Sequence, residues 1–248
     1  MNIGFKTDKG VRRANNEDAF FVMKKDNVFI VADGVGGSKS GEIASRTAVN
    51  EFASYVEKNQ LTELDTENEI RKFLDEAVKA ANARVLDMSL NYIENKGMAT
   101  TIVAAYIVKD LIYMVNVGDS RGYVYRNGSL NQITEDHTYV NQLLRAGHIT
   151  KEEARHHDKS NMITRAVGAE KNIEVDIFVE KIQPGDIVLI CTDGLYGEVE
   201  EEKIMKLIDE TSSMSDLSAE LVDAANLSGG GDNITVVCIE ITEEDINE

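Results

Sequence analysis

Four hydrophobic runs in this chain meet an aspartate: VFIVADG at Asp33, IYMVNVGD at Asp119, VLICTDG at Asp193, and GGGDN at Asp232 just ahead of ITVVCI. A fifth acid, Asp18, closes RRANNED immediately before AFFVM. Strand ends are places from which a fold can aim several side chains at one point. Carboxylates gathered there repel one another unless positive charge lies between them, and divalent cations supply that charge. An all-oxygen ligand set suits hard cations, so Mn(II) or Mg(II) is favoured over Zn(II). The four histidines have no zinc-like spacing, and no loop carries the alternating acids of an EF-hand. Glycine after Asp33 and Asp193 lets the backbone bend so that a main-chain carbonyl can join the ligands. An isolated Asp-Gly marks a turn, but four aspartates at strand boundaries together with Asp18 point to a metal site.

Arg13 stands in the same segment as Asp18. A guanidinium presents paired planar donors that match two phosphate oxygens and stays charged at any working pH. Arg13 is therefore the candidate phosphate grip, although an isolated arginine beside Arg12 would read as a surface residue. The glycine-rich VGGSKSG from Val35 to Gly41 lacks the GxxxxGK[ST] order, so it is not a nucleotide-binding loop.

The elements that must position these residues are legible from periodicity. NIGFKT, AFFVMKK and NVFIVAD read as strands, the last two joined by a turn at Lys25–Asp26–Asn27. Helices are expected from about Ser40 to Glu57 and Glu67 to Leu90, each with apolar residues at helical spacing. TTIVAAYIV and LIYMVNVG pair around Lys109–Asp110, and RGYVYR and SLNQIT around Asn127–Gly128, a dipeptide that tolerates positive φ. The chain turns polar and helical from His137 to about Arg165. Strands return with VDIFVE and, after Pro184–Gly185, DIVLIC. Two further helices, about Glu200–Asp209 and Ser215–Asn226, precede the Gly229–Gly231 loop and the last strand. Strands and helices in blocks suggest antiparallel sheets with helices on their outer faces.

The chain has 248 residues, one proline and no linker-like stretch, which reads as a single domain over 1–248. Its formal net charge is −18, which disfavours nucleic acid and anionic membranes as partners. Cys191 and Cys238 lie inside hydrophobic runs, as small core residues in a reducing cytoplasm would. Met1–Lys9 lacks a signal-peptide layout. No apolar stretch approaches the ~18 residues needed to cross a bilayer, so no membrane insertion is expected.

R-A-N-N-E-D at Arg13–Asp18, V-A-D-G-V-G-G at Val31–Gly37, N-V-G-D-S-R at Asn116–Arg121, C-T-D-G-L at Cys191–Leu195 and G-D-N at Gly231–Asn233 occur in the order and type found in a known family. The chain resembles the metal-dependent protein serine/threonine phosphatases of the type 2C class, in their compact bacterial form, from Met1 to about Ile241. The resemblance implies an α+β fold, with two central antiparallel sheets sandwiched between layers of helices and a flap over about 137–165 beside the active site. Carried over residue by residue, Asp33 would bridge two Mn(II) or Mg(II) ions, with the Gly34 carbonyl ligating one. Asp193 and Asp232 would complete the first ion's shell. Asp18 and Glu17 would act on the second, partly through water, and Asn233 would support them. Asp119 would help Asp193 hold a third ion, and Arg13 would bind the substrate phosphate.

The implied reaction is hydrolysis of phosphoserine and phosphothreonine in proteins by a water bridging two ions, with no covalent phosphoenzyme. It reverses Ser/Thr kinase signalling. The implied partners are phosphorylated proteins, a Ser/Thr kinase and its substrates, met by a cytoplasmic monomer. One position departs from part of the family: eukaryotic members carry a histidine where this chain has Val35. Another proton donor is then needed, either a water at the Asp119 site or one of His137, His156 and His157. Two rival readings are a silent phosphoprotein-binding module, which should have lost a metal aspartate, and a phosphatase of narrow specificity in a sigma-factor cascade.

Overall fold

The inner strands here are apolar along most of their length because both of their faces are covered, one by the facing sheet and one by helices. The computed structural model describes residues 1–36, 40–150, 153–154, 157–159 and 161–247. Eleven strands are defined among them: β1 (Asn2–Asp8), β2 (Asp18–Met23), β3 (Val28–Val35), β4 (Ala99–Thr100), β5 (Ile102–Val108), β6 (Leu111–Val117), β7 (Arg121–Arg126), β8 (Ser129–Gln132), β9 (Asp176–Lys181), β10 (Ile187–Cys191) and β11 (Ile234–Glu240). They form two antiparallel sheets, ordered β1-β11-β10-β7-β8 and β2-β3-β5-β6-β9, with β4 paired to β3.

Alternation along β3 shows how one strand serves two layers. Phe29 and Val31 pack with Val103, Ile190 and Val237 between the sheets. Val28, Ile30 and Ala32 point the other way, onto helices α1 (Ser40–Asn59) and α2 (Glu67–Asn91). The β1-β11-β10-β7-β8 sheet is covered by α4 (Asp193–Tyr196), α5 (Glu201–Glu210) and α6 (Met214–Ser228), through Leu195, Ile204, Leu217 and Leu221. The expected α+β architecture, two sheets between helical layers, is the one observed.

The turns form where their residues allow it. Asn27, Lys109 and Asn127 adopt positive φ between β2 and β3, β5 and β6, and β7 and β8. Asn127 and Gly128 both lie at positive φ, as a two-residue hairpin connection requires. Helix α2 opens on a reciprocal cap: Thr66 Oγ1 accepts from the Glu69 amide and Glu69 Oε2 accepts from the Thr66 amide.

Two features add to the sequence expectation, and the polar segment is helical as expected. Asp193 follows β10 and at once opens a four-residue helix, α4. A short helix, α7 (Glu243–Asn247), follows β11. In the polar 137–165 segment, α3 (Tyr139–Arg145) begins at the cap Thr138, and Thr150 and Glu153 exchange backbone–side-chain bonds as a second helix start would.

Candidate metal centre

Register brings the first two acids together. In the β2–β3 pair, Asp18 lies directly opposite Asp33. Asp18 is also held from the other sheet: its Oδ2 accepts from Thr192 Oγ1 at 2.9 Å and Thr235 Oγ1 at 2.7 Å. Its Oδ1 is buried with no hydrogen-bond partner. Asp18 therefore stands at the seam between the sheets with one oxygen satisfied and one not.

Asp33 is fixed through its backbone. Its amide donates to Thr101 Oγ1, and its carbonyl accepts from the Thr101 amide and from Thr100 Oγ1. Thr101 Oγ1 in turn lies 2.7 Å from Ser120 Oγ, which ties Asp33 to the loop of Asp119. Tyr196 Oη donates to the Asp119 carbonyl at 2.8 Å. The Tyr196 ring lies under the Arg121 guanidinium at 3.5 Å, and Arg121 forms a paired ion bridge with Asp136.

Asp193 at the start of α4 and Asp232 in the loop before β11 lie on backbone segments that approach too closely for side chains. A Cβ at Gly194 would fall 2.0 Å from the Asn233 carbonyl oxygen, so only glycine fits there. Asn233 also staples the Arg13–Asp18 loop. Its Oδ1 accepts from the Glu17 amide, while its Nδ2 donates to the carbonyls of Lys9 and Asn15. Arg13 Nη2 donates to Asp232 Oδ2 at 2.6 Å and its Nε to the Gly231 carbonyl at 3.3 Å. Half of the Arg13 side chain remains exposed.

Glu17 accepts from Asn15 Nδ2. The Glu17 carbonyl accepts from the Gly34 amide, and a Cβ at Gly34 would fall 2.1 Å from the Gly41 carbonyl oxygen. The backbone at Gly34 is thus hemmed in from two sides.

The electrostatics agree with convergence. Burial, and then the charges of Asp18, Asp193, Asp119 and Asp232, hold the Asp33 carboxyl well above the ordinary range. Asp18 is raised to about 7 by burial, against the opposing hydroxyls of Thr235 and Thr192. Asp119 is raised to about 7 by burial and then by Asp193. Asp193 is raised to about 6 by burial and then by Asp232, while a hydrogen bond with Asp33 works the other way. The other four acids all lie within electrostatic reach of Asp33. Among the described residues, no three His, Cys, Asp or Glu side chains already close on a point as a finished cage.

The three histidines proposed as proton donors fare differently. His137 is buried; its Nδ1 accepts from the Gly118 amide and its Nε2 lies 3.1 Å from Asp176 Oδ2. Both ring nitrogens are thereby engaged away from the acid cluster, and burial lowers its pKa. His157 Nδ1 accepts from the Lys159 amide. His156 lies outside the described residues. Val35 is 44% exposed beside Gly34.

Sequence reading missed Thr192, Thr235, Thr101 and Ser120, which hold the acids, and Tyr196 and Arg121, which hold the Asp119 loop. Thr192 and Arg121 sit inside the quoted C-T-D-G-L and G-D-S-R segments and were within reach. A threonine in an apolar strand, as at Thr235, carries no signal of its own.

Comparison with known proteins identifies the family. The family model described as Protein phosphatase 2C matches residues 9–226. The serine/threonine phosphatase stp of Listeria welshimeri is 40% identical over 97% of this chain and 96% of its own. The protein phosphatase PhpP of Streptococcus pneumoniae is 33% identical over 99% of both chains. The catalytic domain of the serine/threonine protein phosphatase PstP, solved in complex with two manganese ions, superposes with a TM-score of 0.85 at 32% identity over 97% of this chain and 98% of that one. With sequence and fold both matched along nearly its whole length, the chain belongs to the protein phosphatase 2C family and is a serine/threonine phosphatase.

Proposed function

We propose that this phosphatase is a metal-dependent hydrolase of phosphoserine and phosphothreonine in proteins, working with two Mn(II) or Mg(II) ions held at the acid cluster. The observation that carries the reading is a pair of orphaned oxygens: Asp18 Oδ1 and Asp193 Oδ1 are buried without any partner, although a buried carboxylate oxygen normally finds one. The closeness of Asp33 and Asp193 adds to it, since two neighbouring buried carboxyls repel unless a proton or a cation lies between them. The donors are all oxygen, which fits hard ions. The PstP catalytic domain with its two manganese ions supports the same choice.

Asp33, the Gly34 carbonyl, Asp193 and Asp232 would hold one ion, with Asp33 shared with a second that Asp18 and Glu17 attend. Asp119 would share a third with Asp193. When bound, the ions would neutralise charge on the phosphoryl oxygens and make a water nucleophilic near neutral pH. Arg13 binds the substrate phosphate by exchanging its bond to Asp232 for phosphate oxygens, as its exposed guanidinium allows. Asn233 keeps Arg13 and Glu17 in one loop while this happens. Neither cysteine serves as a nucleophile, because both are buried and burial pushes the Cys238 thiol up to about 12 and Cys191 higher still.

The chain works as one domain over 1–248, with 137–165 as its flap, and opposes a Ser/Thr kinase as a cytoplasmic monomer. No helix among the described residues is long and apolar enough to cross a membrane. Release of inorganic phosphate from phosphothreonine and phosphotyrosine peptides in Mn(II), Mg(II) or EDTA tests the reading. Turnover of the phosphothreonine peptide is expected with either ion and none in EDTA. Equal turnover in EDTA, or preference for phosphotyrosine, would overturn it.

A further inference from the structure

One residue takes both backbone groups of Gly118, which immediately precedes Asp119. The Gly118 amide donates to His137 Nδ1 at 3.0 Å, and the Gly118 carbonyl accepts from the His137 amide at 2.9 Å. The Gly118 carbonyl also accepts from Asn116 Nδ2 at 3.2 Å. Gly118 has φ +109°, and a Cβ there would fall 2.6 Å from Thr101 Cγ2, so the loop has little room for another path. Because the amide is a donor, His137 Nδ1 must be an acceptor. The other ring nitrogen, Nε2, lies 3.1 Å from Asp176 Oδ2 and 3.0 Å from Arg165 Nη1.

The opposite side of the imidazole belongs to the 137–165 segment. Arg165 Nη1 donates to Asp176 Oδ1 at 2.8 Å, and Arg165 Nη2 lies 3.2 Å from Glu174 Oε2. The His137 carbonyl accepts from the Thr164 amide at 2.7 Å, and Thr138 and Ile163 form a bridge beside it. Both ends of the segment thus meet at the residue that clamps the Asp119 loop.

We propose that His137 is a positioning residue for Asp119: its imidazole fixes the loop that aims this carboxylate and links that aim to the root of the 137–165 segment through Asp176 and Arg165. The inference rests on the reading of Asp119 as a cation ligand. His137 itself touches neither substrate nor ion. Its effect is on where the Asp119 oxygens point.

The test uses Mn(II) binding, followed as free Mn(II) by electron paramagnetic resonance, on the wild-type chain and on D119N, H137A, H137N and H137Q. Thermal melting establishes which variants fold. The Asn amide oxygen falls near the place of Nδ1 and can accept from Gly118, whereas the Gln amide reaches only the place of Nε2. H137A is expected to weaken the Asp119-dependent class of Mn(II) sites by about 10–100-fold while leaving the tighter class unchanged. H137N should restore that class and H137Q should not. If D119N binds Mn(II) as the wild type does, the reading of Asp119 fails. If D119N loses the weak class but H137A keeps it, or Gln restores it as well as Asn, the role of His137 fails. Should H137A not fold, the Asn and Gln pair decides, and failure of H137N to fold also counts against the inference.

Discussion

Each acid at the centre has a separate means of support, and substitutions separate their roles. Asn in place of Asp33 or Asp193 keeps shape but removes charge, so hydrolysis of an aryl phosphate in Mn(II) should fall to background; near-wild-type turnover in either variant would sink the assignment. Arg13→Ala should raise KM more than it lowers kcat, since the guanidinium grips phosphate already in the ground state. An unchanged KM would count against it. The raised carboxyls also make a pH prediction. Asp18 and Asp119 titrate near 7 and Asp193 near 6 in the folded chain, against about 4 when unfolded. Between those values the native state holds more protons than the unfolded one, so these groups lower stability as pH rises from about 4 to about 7. In EDTA, melting temperature should therefore climb as pH is brought from 8 to 6, and saturating Mn(II) should flatten or reverse that slope. A slope indifferent to Mn(II) would show that the acids are not where the ions bind.

Elements supply what single residues cannot. Asp18 depends on a hydroxyl beside β10 and another within β11, so Thr192→Val together with Thr235→Val leaves a buried carboxylate with both oxygens unsatisfied. Each lost bond to a charged group costs about 1–3 kcal/mol. The double variant should melt lower and need more Mn(II) for half-maximal activity; an unaltered Mn(II) requirement would show that the hydroxyls do not orient Asp18. Most strands and helices were legible because their periodicity is strong. NVFIVAD alternates between two buried faces, and Glu67–Leu90 repeats at helical spacing. The acids were legible because each marks a strand boundary. What stayed hidden was lateral: nothing in AFFVM or ITVVCI says that β2 and β11 belong to different sheets, or that Asp18 and Thr235 meet. Helix α4 was hidden for another reason, since C-T-D-G-L reads equally as a turn until Tyr196 is seen reaching back to Asp119.

For the whole molecule, the inter-sheet layer is the common foundation of both halves of the site. Ile190→Ala, at a fully buried position between the sheets, should cost about 2–5 kcal/mol. A urea denaturation midpoint equal to the wild type would contradict the packing. Net charge acts at the same scale. At −18 the surface repels acidic phosphopeptides and attracts those with basic residues beside the phosphothreonine. Basic peptides should show the lower KM, and raising salt should narrow the gap as exposed charges are screened. Equal KM values at low salt would mean that the local field of the cleft overrides the global one.

Strand β1 has a single ladder neighbour, β11, and the pairing joins Asn2 to Glu240 across 238 positions. During synthesis the opening strand must wait, edge unpaired, until that distant partner has been made. The same late arrival delivers Thr235 to Asp18. Until the last strand leaves the ribosome, a nascent chain therefore lacks both the partner of its first strand and one of the two hydroxyls that hold Asp18.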